Sequence, residues 1–140
     1  MSYTFSIIKP DAMSKGHQQS ILRRIKNSGF NILSMHNTRL TESQAKEFYA
    51  IHEGKLFYDD LIKFMTSGNV CVLALQYNGN AVDEFRALIG DTDPKKSNVG
   101  TIRNLYGTDI GHNAIHGADS PENAKKEILF FFPDIEPYLN

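Results

Sequence analysis

The sequence has a single cysteine, Cys71, in 140 residues, which excludes an internal disulfide framework and any cysteine-rich zinc site. No stretch approaches the roughly 18–20 apolar residues of a transmembrane helix. The first residues also lack the basic and apolar regions of a signal peptide. Fifteen basic residues stand against sixteen acidic ones, so a net charge of -1 argues against nucleic-acid binding through bulk charge. We therefore expect a cytoplasmic protein with no membrane partner, in which locally placed lysine and arginine side chains hold any anionic ligand.

Several common catalytic and nucleotide-binding motifs are also absent. Gly54-Lys55 is followed by Leu56 and lacks the earlier glycine of a phosphate-binding loop, and no G-x-G-x-x-G occurs. His52-Glu53 does not begin a metalloprotease motif, because Leu56 stands where the second histidine belongs. No G-x-S-x-G nucleophile elbow occurs. No group of carboxylates suited to a metal is visible either, so we expect no metal ligands among the side chains.

The apolar content, 41% with ten glycines in addition, is ordinary for a globular protein, and we expect one domain over residues 1–140. Apolar periodicity and turn residues predict strands and helices in the order β-α-β-αα-β-α-loop-β-α, which is typical of a layered α/β sandwich. The predicted strands are 3–9, 30–40, Val70–Tyr77 and 114–116, and the predicted helices are 18–28, one from Glu42, one near 61–65, Ala81–Ile89 and Pro121–Phe131. Residues 90–117 read mainly as a long loop, and loops of that length are often functional.

His116 differs from the other four histidines in its surroundings. Gly117 allows a ligand or the backbone to approach closely, and the helix that begins near Ser120 presents unpaired N–H groups that favour anions. A neutral imidazole at this place could attack a phosphoryl group. The residues alone nevertheless favour the simpler interpretation of a turn histidine before a helix.

Three segments, in order, resemble the signature segments of nucleoside diphosphate kinases. They are Ile8-Lys9-Pro10-Asp11-Ala12, Gly100-Thr101-Ile102-Arg103 and Asn113-Ala114-Ile115-His116-Gly117-Ala118-Asp119-Ser120. The similarity runs from residue 3 to residue 132 without a detectable insertion. It implies a ferredoxin-like α/β (α+β) sandwich with a four-stranded antiparallel sheet covered by helices. It also implies transfer of the γ-phosphate of ATP, or of another nucleoside triphosphate, to a nucleoside diphosphate by a ping-pong route through a phosphohistidine on His116.

The resemblance assigns roles to matching positions. The implied catalytic residues are His116 as nucleophile, Glu127 as the carboxylate that orients it, Lys9, and Tyr49 near the imidazole. The implied nucleotide-binding residues are Lys9, Phe57, Arg86, Thr92, Arg103, Ile110 and Asn113, with Phe57 and Ile110 as an apolar clamp on the base. Without the resemblance, Glu127 and Arg86 read as exposed helix residues and Tyr49 as a core aromatic. The family also implies Mg²⁺ held mainly through nucleotide phosphates, and a hexamer or tetramer built from dimers in which the second strand pairs with its copy.

The sequence departs from the family pattern at several places. Lys55-Leu56-Phe57-Tyr58 stands where members often have Arg-Pro-Phe-Phe, so we expect the loss of the proline to make this segment less rigid. Ala118 replaces the usual serine after His-Gly and removes one hydroxyl near the nucleophile. Asn104-Leu105 replaces the usual Gly-Asp, so we expect the loop conformation and the subunit contacts there to differ from those of the family. The alternative function is a catalytically silent nucleotide- or nucleic-acid-binding module on the same fold. That alternative predicts a lost key residue or a basic surface, and neither is observed.

Overall fold

The chain was analysed as a computed structural model, which describes residues 1–139. Strands and helices alternate along this part of the chain, much as the periodicity predicts. The strands are β1 (Ser2–Ile8), β2 (Asn31–Thr38), β3 (Val70–Tyr77) and β4 (Ile115–Gly117). The helices are α1 (Pro10–Ser14), α2 (Gln18–Asn27), α3 (Glu42–Phe48), α4 (Tyr58–Met65), α5 (Ala81–Ile89), α6 (Ile102–Tyr106) and α7 (Pro121–Phe131). Short 3₁₀ turns cover Ala50–His52, Pro94–Lys96 and Pro133–Tyr138.

The four strands form one antiparallel sheet in the order β2-β3-β1-β4. β1 lies inside the sheet, where Ile8 pairs with Cys71 of β3 on one side and with Ile115 of β4 on the other. The predicted antiparallel sheet is therefore confirmed, and β2 lies at an edge as expected. The three-residue strand β4 forms the opposite edge and places His116 opposite Ile7.

The side chains of β1 alternate between two buried clusters, one on each face of the sheet. Phe5 and Ile7 pack with α3, α4 and α7, whereas Ile8 packs with α2 and α5. Cys71 lies in the second cluster, and its burial raises the pKa of the thiol to about 11. A buried thiol with a raised pKa is a poor nucleophile, so Cys71 serves the core.

Side-chain caps fix the starts of several helices. Thr41 and Gln44 form a reciprocal capping box at α3. Asn80 accepts a hydrogen bond from the N–H of Asp83, and Ser120 accepts one from the N–H of Asn123. Such caps satisfy N–H groups that have no partner within the helix. The cap at Ser120 fixes where α7 leaves the sheet, directly after β4.

Some predicted boundaries were wrong. β1 ends at Ile8, and Lys9 follows it with extended backbone because Pro10 begins α1 immediately afterwards. Two five-residue helices, α1 and α6, were not predicted, and α6 lies inside the stretch expected to be loop. Within residues 1–139, no helix combines the length and the hydropathy needed to cross a bilayer.

Candidate active site

The imidazole of His116 is paired with the carboxylate of Glu127. The distance between His116 Nε2 and Glu127 Oε1 is 2.7 Å, and about a fifth of each side chain is exposed. Because β4 runs directly into the capped start of α7, the helix returns Glu127 to the histidine two turns later. Because the carboxylate accepts a hydrogen bond from Nε2–H, Nδ1 is the nitrogen with a free lone pair.

Aromatic side chains surround this pair. The ring centroids of Phe5 and Phe48 lie 6.1 and 5.7 Å from that of His116. The hydroxyl of Tyr49 is buried, and it has no hydrogen-bond partner among the described residues. Burial and the charge of Glu127 raise its pKa, so the hydroxyl stays protonated and keeps a hydrogen to donate.

Lys9 and Asn113, 104 positions apart, meet beside the histidine strand. Lys9 Nζ donates to Asn113 Oδ1 over 2.8 Å, and Asn113 Nδ2 donates to the carbonyl of Thr92 over 3.0 Å. Burial and the charge of Arg103 lower the pKa of Lys9 to about 8, whereas Asp11 acts in the opposite direction. The ammonium is therefore held where a bound anion would stabilise it.

A strained turn separates Asn113 from the histidine strand. Ala114 has a φ of 75°, and Ile115 N donates to the carbonyl of Asn113 over 2.9 Å, which closes a three-residue turn. A non-glycine residue in this conformation costs about 1–3 kcal/mol and persists only where its surroundings fix it. Both backbone groups of Ala114 are held, because its N–H donates to Asp11 Oδ2 over 3.0 Å and its carbonyl accepts from the N–H of Lys9 over 2.8 Å. The resemblance included Asp11 in a matching segment but gave it no role.

A polar cavity of about 350 Å³ contains two guanidinium groups. Its lining residues are Asp83, Arg86, Gly90, Asp91, Thr92 and Arg103. Arg103 donates to the carbonyls of Gly90 over 3.1 Å and Ile115 over 2.8 Å, while its Nε is buried without a partner in the described structure. Burial and the charge of Arg86 lower the pKa of Arg103 to about 10. An anion in this cavity would relieve the repulsion between the two arginines.

Gly117, next to the histidine, is required by protein packing. A Cβ there would lie 2.9 Å from Ile89 Cδ1 and 3.1 Å from Phe85 Cδ2. These are shorter than the usual contacts between carbon atoms. Side chains of α5, rather than the ligand or backbone that the sequence suggested, approach β4 closely at Gly117.

The two members of the expected base clamp lie on the surface. Phe57 is 49% exposed and Ile110 is 60% exposed, and neither side chain carries a polar atom. The ammonium of Lys55 lies 5.8 Å from the centre of the Phe57 ring. Ile110 lies in a short turn whose ends, Asp109 and His112, are joined by side-chain and backbone hydrogen bonds.

The departures from the family pattern have visible consequences. Ala118 is fully buried, and its backbone N–H donates to the carbonyl of Phe5 over 3.2 Å. Asn104 Oδ1 accepts from Gly100 N and Nδ2 donates to the carbonyl of Ser97, both at 3.4 Å. Asn104 in α6 is thus joined through long hydrogen bonds to the segment that precedes the helix, while Leu105 is 44% exposed.

An imidazole held by a carboxylate, with an ammonium and two guanidinium groups nearby, suits phosphoryl transfer, because such sites work mainly by positioning and charge stabilisation. The sequence profile named nucleoside diphosphate kinase matches residues 2–136. The chain belongs to the nucleoside diphosphate kinase family, as the resemblance indicated.

Relatives and solved structures agree with this assignment. A nucleoside diphosphate kinase from Sorangium cellulosum (strain So ce56) is 45% identical over 133 residues, covering 95% of this chain and 92% of that protein. One from Campylobacter hominis is 48% identical over 132 residues, covering 94% and 96%. The crystal structure of the Aquifex aeolicus nucleoside diphosphate kinase superposes with a TM-score of 0.92 at 41% identity, covering 96% of this chain and 97% of that one. The ferredoxin-like fold is therefore confirmed.

Proposed function

We propose that this protein transfers the γ-phosphate of a nucleoside triphosphate to a nucleoside diphosphate through a phosphohistidine on His116. The observation that carries the proposal is the 2.7 Å contact between His116 Nε2 and Glu127 Oε1. It gives the imidazole one orientation and leaves Nδ1 free to react. Membership of the family and the positive groups around the site support the same reaction.

The reaction proceeds in two balanced halves. The lone pair of His116 Nδ1 forms a bond to the γ-phosphorus, and the bond from that phosphorus to the bridging oxygen breaks. The nucleoside diphosphate leaves with the electron pair. A terminal oxygen of a second nucleoside diphosphate then attacks the phosphohistidine, the N–P bond breaks, and Nδ1 regains its lone pair. Splitting the transfer in this way lets one site serve both nucleotides in turn.

The surrounding residues bind the nucleotide in this proposal. Arg86 and Arg103 hold phosphate oxygens through their planar donors. The hydroxyl of Thr92 donates a further hydrogen bond to the phosphates. Lys9 contacts the transferring phosphate and, together with Asn113, a sugar hydroxyl. The exposed side chains of Phe57 and Ile110 enclose the base.

We infer that magnesium enters as part of the nucleotide substrate. Among residues 1–139, no group of three or more His, Cys, Asp or Glu side chains is placed to hold a metal ion. The polar cavity instead offers arginines, which suit phosphate oxygens. Magnesium commonly keeps several waters and binds through substrate phosphates, and this chemistry fits the residues that are present.

We also propose that residues 1–140 act as one domain, in the cytoplasm, within a homo-oligomer built from dimers. β2 is an edge strand, and Leu33 and Met35 on it are 37% and 47% exposed. An apolar exposed edge of this kind invites pairing. Pairing of β2 with its copy would give a two-fold contact, and such dimers could form a tetramer or a hexamer.

The phosphoenzyme test addresses the mechanism directly. The protein is incubated with γ-labelled ATP and magnesium, separated from nucleotide, and assayed for label that acid releases and alkali retains. We expect the wild type to carry label that a nucleoside diphosphate removes. His116→Ala should carry none and remain folded, whereas His36→Ala, which alters an exposed histidine on β2, should be labelled like the wild type. Label retained in His116→Ala would refute the mechanism, and nucleotide binding by an unlabelled wild type would favour the silent binding module.

A further inference from the structure

Asp11 is a charged residue that the proposed chemistry does not use. It lies in the first turn of α1, two residues after Lys9, and it is only partly exposed. One carboxylate oxygen accepts the N–H of Ala114, while the other is buried without a hydrogen-bond partner in the described structure. A carboxylate in such a place needs a physical reason, because a charge removed from water is costly unless nearby groups compensate it.

We propose that Asp11 is a positioning residue that acts on Lys9 and Asn113 in two separable ways. Its hydrogen bond to Ala114 holds the strained turn that presents Asn113 to Lys9, and its negative charge stabilises the Lys9 ammonium. The inference rests on the proposed function, in which Lys9 and Asn113 bind the nucleotide.

The turn depends on the segment between β1 and α1. The Lys9–Asp11 segment holds both polar backbone groups of Ala114, one through the Lys9 N–H and one through the Asp11 carboxylate. Removing the Asp11 side chain would leave the N–H of a fully buried residue without its acceptor. The turn would then be free to relax, and Asn113 would lose its alignment with Lys9 Nζ.

The charge effect follows from the groups that face Lys9. Arg103 from α6 contributes a positive charge, Asp11 from α1 contributes a negative charge, and Asn113 contributes a neutral amide. Burial and Arg103 lower the pKa of Lys9 to about 8, and Asp11 opposes them. Without the Asp11 charge the pKa would fall further, so Lys9 would lose its proton at a lower pH. A phosphate ligand would then lose its ammonium partner near neutral pH.

Two substitutions separate the two effects. Asp11→Asn keeps an oxygen that can accept the Ala114 N–H but removes the charge. We expect the Lys9 titration to move down by about one pH unit, the low end for an adjacent opposite charge. The alkaline limb of kcat/KM should move with it, while kcat/KM at pH 6 stays within about twofold of the wild type. Asp11→Ala should show the same shift and lose activity at every pH, mainly through KM.

Two further variants serve as controls. Asp134→Asn removes an exposed carboxylate and should leave the Lys9 titration and activity unchanged. Ala114→Gly provides a rescue, because glycine adopts a positive φ at little cost. In that background, Asp11→Ala should regain part of its activity at pH 6 but keep the shift of the alkaline limb.

The Lys9 titration is followed by NMR of the lysine Cε resonances, with the Lys9 signal assigned from its loss in Lys9→Met. This measurement requires no turnover. If the wild type forms no phosphoenzyme but Asp11→Asn still shifts the titration, the proposed function fails and the charge effect stands. A Lys9 titration in Asp11→Asn that matches the wild type would overturn the charge effect. Equal activity of folded Asp11→Asn and Asp11→Ala at pH 6 would overturn the role of the turn.

Discussion

Replacing Glu127 should slow phosphorylation of His116 without unfolding the protein. The contact with His116 is a short hydrogen bond to a charged group, 2.7 Å long and largely shielded from water. Hydrogen bonds to charged groups are worth about 1.5–3 kcal/mol, which corresponds to about one to two decades in rate. We therefore expect Glu127→Ala to reduce the rate of phosphoenzyme formation by about 10- to 150-fold, a smaller loss than that of His116→Ala.

Glu127→Gln distinguishes orientation from packing. Glutamine fills nearly the same volume. Its amide oxygen can accept a hydrogen bond from Nε2–H, or its NH2 group can donate one to an unprotonated Nε2. Donation would favour the tautomer with its proton on Nδ1, which has no lone pair for attack at that nitrogen. We expect Glu127→Gln to lose at least about tenfold in rate, despite its conserved shape.

The assay is a rapid quench after mixing enzyme with labelled ATP, so that chemistry is separated from product release. Unfolding in urea provides the stability control for each variant. A Glu127→Gln enzyme with the wild-type rate would show that the negative charge of the carboxylate is not needed. A loss of folding equal to the loss of rate would show that Glu127 serves the structure rather than the imidazole.

Further predictions concern charge, base recognition and assembly. The pKa of Lys9 is about 8 in the fold against an ordinary 10.5, so wild-type stability should rise as the pH increases from 8 towards 10.5. Lys9→Met should be up to about 3 kcal/mol more stable than the wild type at pH 7 and nearly equal near pH 10.5, as urea unfolding would measure; a constant difference would refute this. Arg86→Ala should lower kcat/KM by about one to two decades with every nucleotide, and a loss confined to one base would contradict the phosphate role. Because Phe57 and Ile110 lack polar side-chain atoms, purine and pyrimidine diphosphates should differ by less than about two decades in kcat/KM. Since stacking contributes about 1–3 kcal/mol, Phe57→Ala should weaken the binding of all these nucleotides. Met35→Glu should weaken self-association in sedimentation, and a wild-type monomer at micromolar concentration would refute pairing through β2.

Local patterns predicted the regular elements well, because their signals lie within a few neighbouring residues. The apolar run 70–77 is enough to predict β3. The capping residues Thr41, Asn80 and Ser120 are enough to predict where three helices start. The helix α1 could not be predicted in this way, because five residues are too few to show the apolar periodicity of a helix face. The helix α6 has Thr101 as its cap and Asn104 three residues later, a local signal that the glycine-rich surroundings obscured.

The sequence predicted which residues form the candidate site, but it did not predict how they contact one another. The identities of His116, Glu127 and Lys9 followed from the family resemblance, but their contacts depend on the tertiary fold. No local pattern brings Lys9 to Asn113 across 104 positions. The positive φ of Ala114 was also unpredictable, since alanine has no preference for it and the carboxylate that holds it comes from a distant segment.

The central position of β1 has a consequence during protein synthesis. β1 precedes the other three strands along the chain, and its partners β3 and β4 begin only at Val70 and Ile115. At about 5–20 residues per second, β1 waits about 3–12 s for β3 and about 5–20 s for β4. Until β3 is available, the β1 residues Phe5, Ile7 and Ile8 have no strand to pair with. During that time they are accessible to chaperones or to other nascent chains. The strand that precedes the other three is therefore among the last to be enclosed, and the candidate site cannot assemble until α7, which carries Glu127, has been translated.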